Sequence, residues 1–419
     1  VKPSKVAALP ERVVVLHDFS EALGGASYLV QVLIGELRRR GIATTFIAGD
    51  SGVCFDRSDV EFLPLHGKAL LERSTLSALT CGLYNRRAYA QTRDWIARND
   101  TPGTVYHLHG WSKILTPAIF AALRHVSDRL ILHGHDYFNG CPNGAFFDYP
   151  RERDCTLTPL GTACLQSRCD KASHAQKLWR VGREVLRRGL QHGGTKAARL
   201  LMIHPGQEAQ FRLSGWRADR LRAVRNPVSP LSTDRIPAEA NCGIVFIGRI
   251  SAEKGADLAA RAAQKAGLPI TFVGDGSEVE VVRKCNPAAI FVGRQDRAGV
   301  ARALSSARVA VMPSRWSEPF GLVALEAVAS GVPVIVSDRA LVAQEIAQAG
   351  FGLAIDTADL DAFAGALTAL HRNDRVVEAI SRAGQAGFRS LCNSEETWAD
   401  AVVSQYRQVL TEAGTNQCA

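Results

Sequence analysis

The sequence contains no run of about 18 apolar residues, so a conventional membrane-spanning helix is not expected. It also lacks the Walker A, GxSxG and HExxH patterns, which removes the usual grounds for P-loop, serine-hydrolase and zincin chemistry. Gly274-Asp275-Gly276 falls short of the full dinucleotide fingerprint, leaving hydride transfer with little support. Basic stretches without interleaved aromatics, zinc-finger spacing or an RRM-like signature argue against nucleic acid. The first twelve residues, with Lys2, Pro3, Lys5 and Pro10, are too short and polar for a secretory signal, so a cytoplasmic location is expected.

What is present is a globular composition, 46% apolar over 419 residues, a length that suggests two domains of ordinary size. Charge is unevenly placed: residues 1–230 carry 32 Lys+Arg against 20 Asp+Glu, and residues 231–419 carry 18 against 21. The basic excess therefore belongs to the first half. Arg38-Arg39-Arg40, Arg86-Arg87 and the Lys177–Arg188 stretch could face an anionic substrate or the anionic inner surface of a membrane, or simply be solvated.

Short apolar runs alternate with helical periodicity. Val13–Leu16 reads as a buried strand ending at His17-Asp18, followed by a Gly24-Gly25 loop, a helix from about Ser27 to Arg40 and a second strand, Ile42–Ala48. Further strands are predicted at Thr104–Leu108 and Leu130–Leu132, each running into histidines (His107 and His109; His133 and His135). A basic helix over Leu178–Arg199 and a last strand at Met202–His204 come next. Turn-rich Arg225–Pro230 marks a linker, after which the pattern restarts with strands at 243–247, 270–273, 290–292, 309–312 and 334–336. The resulting division is an N-terminal Rossmann-like domain over 1–226 with a cysteine-bearing insertion at 139–174, a C-terminal one over 227–396, and a helix over 397–419 packing back on the first domain. Two doubly wound parallel sheets facing across a cleft are the expected α/β fold.

Ligands of such sheets bind beyond the carboxyl ends of the strands. There the second domain offers Gly248-Arg249 with Lys254 a few residues on, and strand ends at Gly274 and Gly293. Arg249 and Lys254 supply a planar fork and a point charge suited to a diphosphate. The run Glu318-Pro319-Phe320-Gly321-Leu322-Val323-Ala324-Leu325-Glu326 sets two carboxylates about a helix start. The N–H groups of Phe320, Gly321 and Leu322 lack intrahelical partners there, and Glu326, among apolar neighbours, needs a partner that a ligand could supply. Asp359-Leu360-Asp361 is the sole DxD, and its place reads as helix-start charge instead of a metal site. Cys141, Cys155, Cys164 and Cys169 cluster in the insertion; spacings without close knuckles leave a structural zinc or iron-sulfur site open beside paired or buried thiols.

The Glu-x7-Glu of residues 318–326, the Gly-Arg-x4-Lys-Gly of residues 248–255 and the Gly24-Gly25 loop resemble glycosyltransferase family 4, retaining enzymes of GT-B fold; the Cys141-Pro142-Asn143-Gly144 segment resembles a cysteine-bearing bacterial branch of it. The resemblance implies a nucleotide-diphosphate sugar as donor and a glycan or lipid-linked acceptor in cell-surface polysaccharide assembly, with no catalytic cofactor. Under it Glu318 contacts donor-sugar hydroxyls, Glu326 the ribose, and Arg249 and Lys254 the departing diphosphate. Phe320, Gly321 and Leu322 touch sugar or phosphate, Gly24 and Gly25 approach the phosphates, and His109 lies near the transferred sugar. A non-catalytic nucleotide-sugar sensor or scaffold, with a metal- or partner-binding cysteine segment, is the alternative.

Overall fold

Continuous apolar strands can be satisfied only by cover on both faces. The computed structural model, which describes residues 9–22, 24–52, 58–191 and 197–417, builds them into two units. Residues 1–8, including Lys2, Pro3 and Lys5, lie outside the described residues. Unit 1 comprises the chain through Pro150, Cys155–Val224 and the segment from Glu395; unit 2 comprises Arg151–Asp154 and Arg225–Ser394.

The sheet of unit 1 contains β1 (Arg12–His17), β2 (Ala43–Ala48), β3 (Glu61–Pro64), β4 (Thr104–Leu108), β5 (Leu130–Gly134), β6 (Arg199–Met202) and β7 (Leu221–Ala223), in the order β3-β2-β1-β4-β5-β6-β7 and parallel throughout. Four of its helices carry residues of functional interest: α1 (Gly25–Arg39), α2 (Thr75–Leu83), α3 (Arg86–Asn99) and α4 (His174–Leu190). Leu29, Val30, Leu33, Ile34 and Leu37 on one stripe of α1 bury against Val13, Val15 and Phe46 of the sheet. The C-terminal helix Glu395–Gln417 adds Trp398, Val402, Tyr406 and Val409 to the same core.

Unit 2 repeats the plan with β8 (Gly243–Ile247), β9 (Ile270–Val273), β10 (Ile290–Phe291), β11 (Ala307–Met312), β12 (Val334–Ser337) and β13 (Gly352–Ile355), ordered β10-β9-β8-β11-β12-β13 and again parallel. Its relevant helices are α5 (Ala256–Ala266), α6 (Arg297–Ser305) and α7 (Leu322–Ala329). Alanines of α5 (Ala256, Ala259, Ala260, Ala262, Ala263) let that helix lie close on Ile244, Phe246 and Phe272.

Three strands of these two sheets escaped the periodicity. β3 is half-buried and ends in proline, β7 has three residues, and β13 starts on a glycine, so none carries a strong apolar signal. The basic helix predicted over Leu178–Arg199 begins earlier, at His174, because the Ser173 hydroxyl caps it by accepting from Gln176 N–H at 3.1 Å, and it ends at Leu190.

Candidate active site

In unit 2 the carboxyl ends of β8, β9 and β10 stop side by side at Gly248, Gly274 and Gly293. Gly274 N–H donates to Gly293 O and Gly248 N–H to Val273 O, both at 2.9 Å. The row is tight enough to demand glycine: Gly274 sits at φ +140°, and a Cβ there would stand 1.9 Å from Gly248 O. Beyond Gly248, Arg249 is exposed and its guanidinium has no partner among the described residues. Buried Ile250 anchors the next turn, which leads to Lys254.

The exit of β11 is bolted to that turn. Arg315 N–H donates to Glu253 O at 2.9 Å, and the Arg315 guanidinium grips Asp257 with two bonds of 2.6 and 2.7 Å while reaching Ala252 O at 2.7 Å and Glu152 at 3.1 Å. The clamp brings Glu318 onto Lys254, Nζ to Oε2 2.5 Å. The same oxygen accepts from Trp316 Nε1 at 3.0 Å and Ser314 Oγ at 3.2 Å, and the ammonium lies 5.6 Å over the Trp316 ring. Lys254 and Arg249, expected as a pair for one diphosphate, thus differ: one is already partnered by Glu318, the other is open.

α7 starts from Gly321 at φ +72°, and the N–H groups of Phe320, Gly321 and Leu322 meet no acceptor among the described residues. Five residues along, Glu326 is mostly buried, its side chain 12% exposed. The partner its apolar surroundings require is not left to a ligand, because Arg297, first residue of α6, puts Nη1 3.0 Å from Oε1. Arg297 is itself held by Ser229 O at 2.8 Å and Pro230 O at 3.1 Å. Burial raises the Glu326 carboxyl above its ordinary 4.5 and Arg297 opposes the rise. Arg297, Ser314 and Trp316 were missed in the sequence; Arg297 follows a strand end by a few residues, a usable signal, whereas nothing local marks Trp316. Asp359 caps its helix by accepting from Asp361 and Ala362 N–H, both at 3.0 Å, in keeping with a helix-start role for the DxD.

Unit 1 presents its own strand ends. Gly24 is the extended residue before α1, that helix has no side-chain cap and no acid in its first turn, and nothing stands within 4 Å of where a Gly24 Cβ would be. At the ends of β4 and β5 four imidazoles pack together. The Tyr406 hydroxyl lies 2.7 Å from His107 Nδ1, His107 Nε2 3.1 Å from His133 Nδ1, and His109 Nδ1 2.9 Å from His135 Nε2. If Tyr406 donates, His107 carries its proton on Nε2, and His133 is left with N–H at its own Nε2. Burial, then neighbouring rings, drives all four well below 6.5, and burial takes His17 to about 4. His109 is therefore a neutral ring whose Nε2 has no protein partner among the described residues.

The four cysteines do converge, around an ammonium. Lys177 Nζ of α4 lies 3.0 Å from Cys169 Sγ and 3.5 Å from Cys164 Sγ, with Cys141 and Cys155 close enough to act on the same charges. All four are free thiols. Among the described residues the three metal-capable side chains with ligand atoms within 4.8 Å of one another are His107, His109 and His133, while the cysteine sulfurs are not gathered that closely and two of them face the Lys177 ammonium.

Residues 238–387 match the family described as Glycosyl transferases group 1. The D-inositol 3-phosphate glycosyltransferase of Mycobacterium avium is 30% identical over 234 residues, 52% of each chain, so the chain spans about half the length of that curated relative. Among solved structures, sucrose-phosphate synthase from Thermosynechococcus elongatus aligns over 96% of this chain and 99% of its own with a TM-score of 0.71 at 18% identity. Anabaena HepE, solved with UDP, aligns over 94% and 99% with a TM-score of 0.65 at 14% identity. The fold is that of the GT-B glycosyltransferases, and its second unit holds the residues that match Glycosyl transferases group 1.

Proposed function

We propose that the protein is a retaining glycosyltransferase that moves a hexose-type sugar from a nucleotide-diphosphate donor to a glycan or lipid-linked acceptor, without a metal ion. The observation that carries this reading is the gathering, at one sheet edge of unit 2, of open Arg249, Lys254 on Glu318, three N–H groups at the start of α7 without acceptors among the described residues, and buried Glu326. Cations and N–H groups suit a diphosphate; carboxylates at either end suit the hydroxyls of a sugar and a ribose. In the reaction Lys254 exchanges Glu318 for phosphate oxygen, which frees the carboxylate for sugar hydroxyls. Arg249 closes on the other side of the leaving group, and Glu326 accepts from ribose. The leaving phosphate takes the acceptor's proton on the face from which it departs, the basis for retention. Neutral His109 offers an unoccupied ring nitrogen to a sugar hydroxyl.

For the acceptor, unit 1 by itself contains a cavity of about 650 Å³ lined by His66, Lys68, Arg73, Tyr84, Arg86 and Arg87 among others, with no carboxylate among the described residues of its wall. Leu71 and Leu76, beside it, are fully and three-quarters exposed. A cationic hollow with an apolar shoulder suits a lipid-linked acceptor at an anionic inner membrane surface.

Incubation with UDP-, GDP- and ADP-sugars, reading donor hydrolysis and nucleotide binding, tests the class. Arg249→Ala and Lys254→Ala should each lower turnover roughly 100- to 1,000-fold, as loss of a preorganised transition-state charge does. Unchanged turnover in both variants sinks the assignment, and an inverted anomer by NMR sinks retention. Nucleotide binding with no transfer to any acceptor would favour the sensor.

A further inference from the structure

Lys177 is completely buried, where a lysine ammonium is rare without a counter-charge. No carboxylate among the described residues pairs with it; the groups in reach of Nζ are Cys169 Sγ at 3.0 Å and Cys164 Sγ at 3.5 Å. The surrounding hydrogen bonds distinguish the sulfurs. Asn143 is pinned in one orientation, its Oδ1 accepting from Ala145 N–H at 3.0 Å and from the Cys141 thiol at 3.1 Å, its Nδ2 donating to Phe147 O at 2.8 Å. That Nδ2 also points at Cys169 Sγ, 3.5 Å away. Cys169 thus accepts from an ammonium and an amide, while Cys141 donates to Asn143. The result is a buried lysine-cysteine contact between α4 and the 141–170 segment, an arrangement that sugar transfer does not require.

We propose that Cys169 and Lys177 are the two ends of a reversible covalent S–O–N bridge, with dioxygen as oxidant. The pair enters as one thiol and one amine equivalent. One S–O and one O–N bond form; the S–H bond, one N–H bond and the O–O bond break. Sulfur and nitrogen each give up two electrons and dioxygen accepts four. One of its oxygens stays in the bridge, and the other leaves as water with the thiol proton and one amine proton. Two equivalents of a dithiol return four electrons and four protons, restoring thiol and amine and releasing the bridge oxygen as water. The contact favours this product because sulfur and nitrogen already face each other 3.0 Å apart, so that loss of one proton from the ammonium leaves a nitrogen lone pair within reach of a single bridging atom. Closure ties α4 covalently to the segment that bears Cys141, Cys164 and Cys169.

The test is mass spectrometry of the full chain prepared without reductant, equilibrated with air or kept anaerobic, then denatured, alkylated and digested. The expected result in air is a peptide pair joining Cys169 to Lys177, heavier than the two free peptides together by about 14 Da, one oxygen gained and two hydrogens lost. It should be absent anaerobically, accompany loss of one alkylatable thiol, and disappear on treatment with dithiothreitol. Lys177→Arg, which keeps the charge and cannot form the bridge in this way, should lose the species while remaining folded by circular dichroism. A Cys164–Cys169 disulfide, sulfenic or sulfinic acid on Cys169 with Lys177 unmodified, stoichiometric zinc or iron released with loss of free thiols, or unmodified peptides after exposure to air would each overturn the proposal. These readouts need no variant, so a misfolded Lys177→Arg does not decide the matter.

Discussion

Glu326 shows how burial and a nearby cation pull one carboxyl in opposite directions. Its carboxyl is raised above 4.5 chiefly by burial, so the folded state holds the proton more tightly than the unfolded chain does. A raised pKa contributes stability that is fully present below the unfolded value and lost as pH rises through the folded one. Glu326→Gln should therefore melt at a higher temperature than the parent at pH 7, with the advantage shrinking toward pH 4.5, while donor affinity falls; Arg297 keeps its two carbonyl contacts in the variant. Melting curves across that range, with nucleotide titration at pH 7, check both signs. Glu326 could be marked from sequence because a carboxylate among Val323, Ala324, Leu325, Ala327 and Val328 is out of place. Its partner Arg297, 29 positions earlier, could not, since only the packing of α6 beside α7 joins them.

Among the elements, α2 and α3 make the clearest demand on a partner. Arg86 and Arg87 open α3 with no acid in its first turn, although the positive end of a helix dipole disfavours cations, and neither pairs with a carboxylate among the described residues. Charge reversal at both, Arg86→Glu with Arg87→Glu, should weaken binding to vesicles containing anionic lipid. At roughly 1 kcal/mol per charge near such a surface the loss is about fivefold for each cation removed, and more on reversal. Sedimentation at several salt concentrations checks it, and binding insensitive to lipid charge would remove the membrane reading. The C-terminal helix makes a structural demand: Trp398 is fully buried in the unit 1 core, so Trp398→Ala should cost about 3–5 kcal/mol in denaturant unfolding. Its amphipathic spacing was legible in the sequence; that it completes the first core after the chain has built the second was visible only as an expectation.

For the whole molecule, the histidine cluster predicts acid lability. His17, His107, His109, His133 and His135 are all depressed, so the unfolded chain takes up protons that the folded one refuses. For a lowered pKa the stability is present above the unfolded value and lost as pH falls below it. Each ring contributes up to about 1.4 kcal/mol per pH unit below 6.5, enough together to unfold unit 1 well before His17 reaches its own value near 4. Far-UV circular dichroism from pH 7 to 4 should show a cooperative loss near pH 5; a flat trace would mean the rings already carry protons. The sequence by itself determined two parallel sheets and the motifs at their strand ends, because strand periodicity, strand-end glycines and a helix-start Glu-x7-Glu are local properties carried by neighbouring residues. Tertiary structure alone decided the pairings: Lys254 on Glu318, Arg297 on Glu326, His107 on Tyr406, and Lys177 on Cys169. Each depends on which strand ends and loops come to lie side by side, and a charge shows its sequence neighbours but not the counter-charge that folding brings to it.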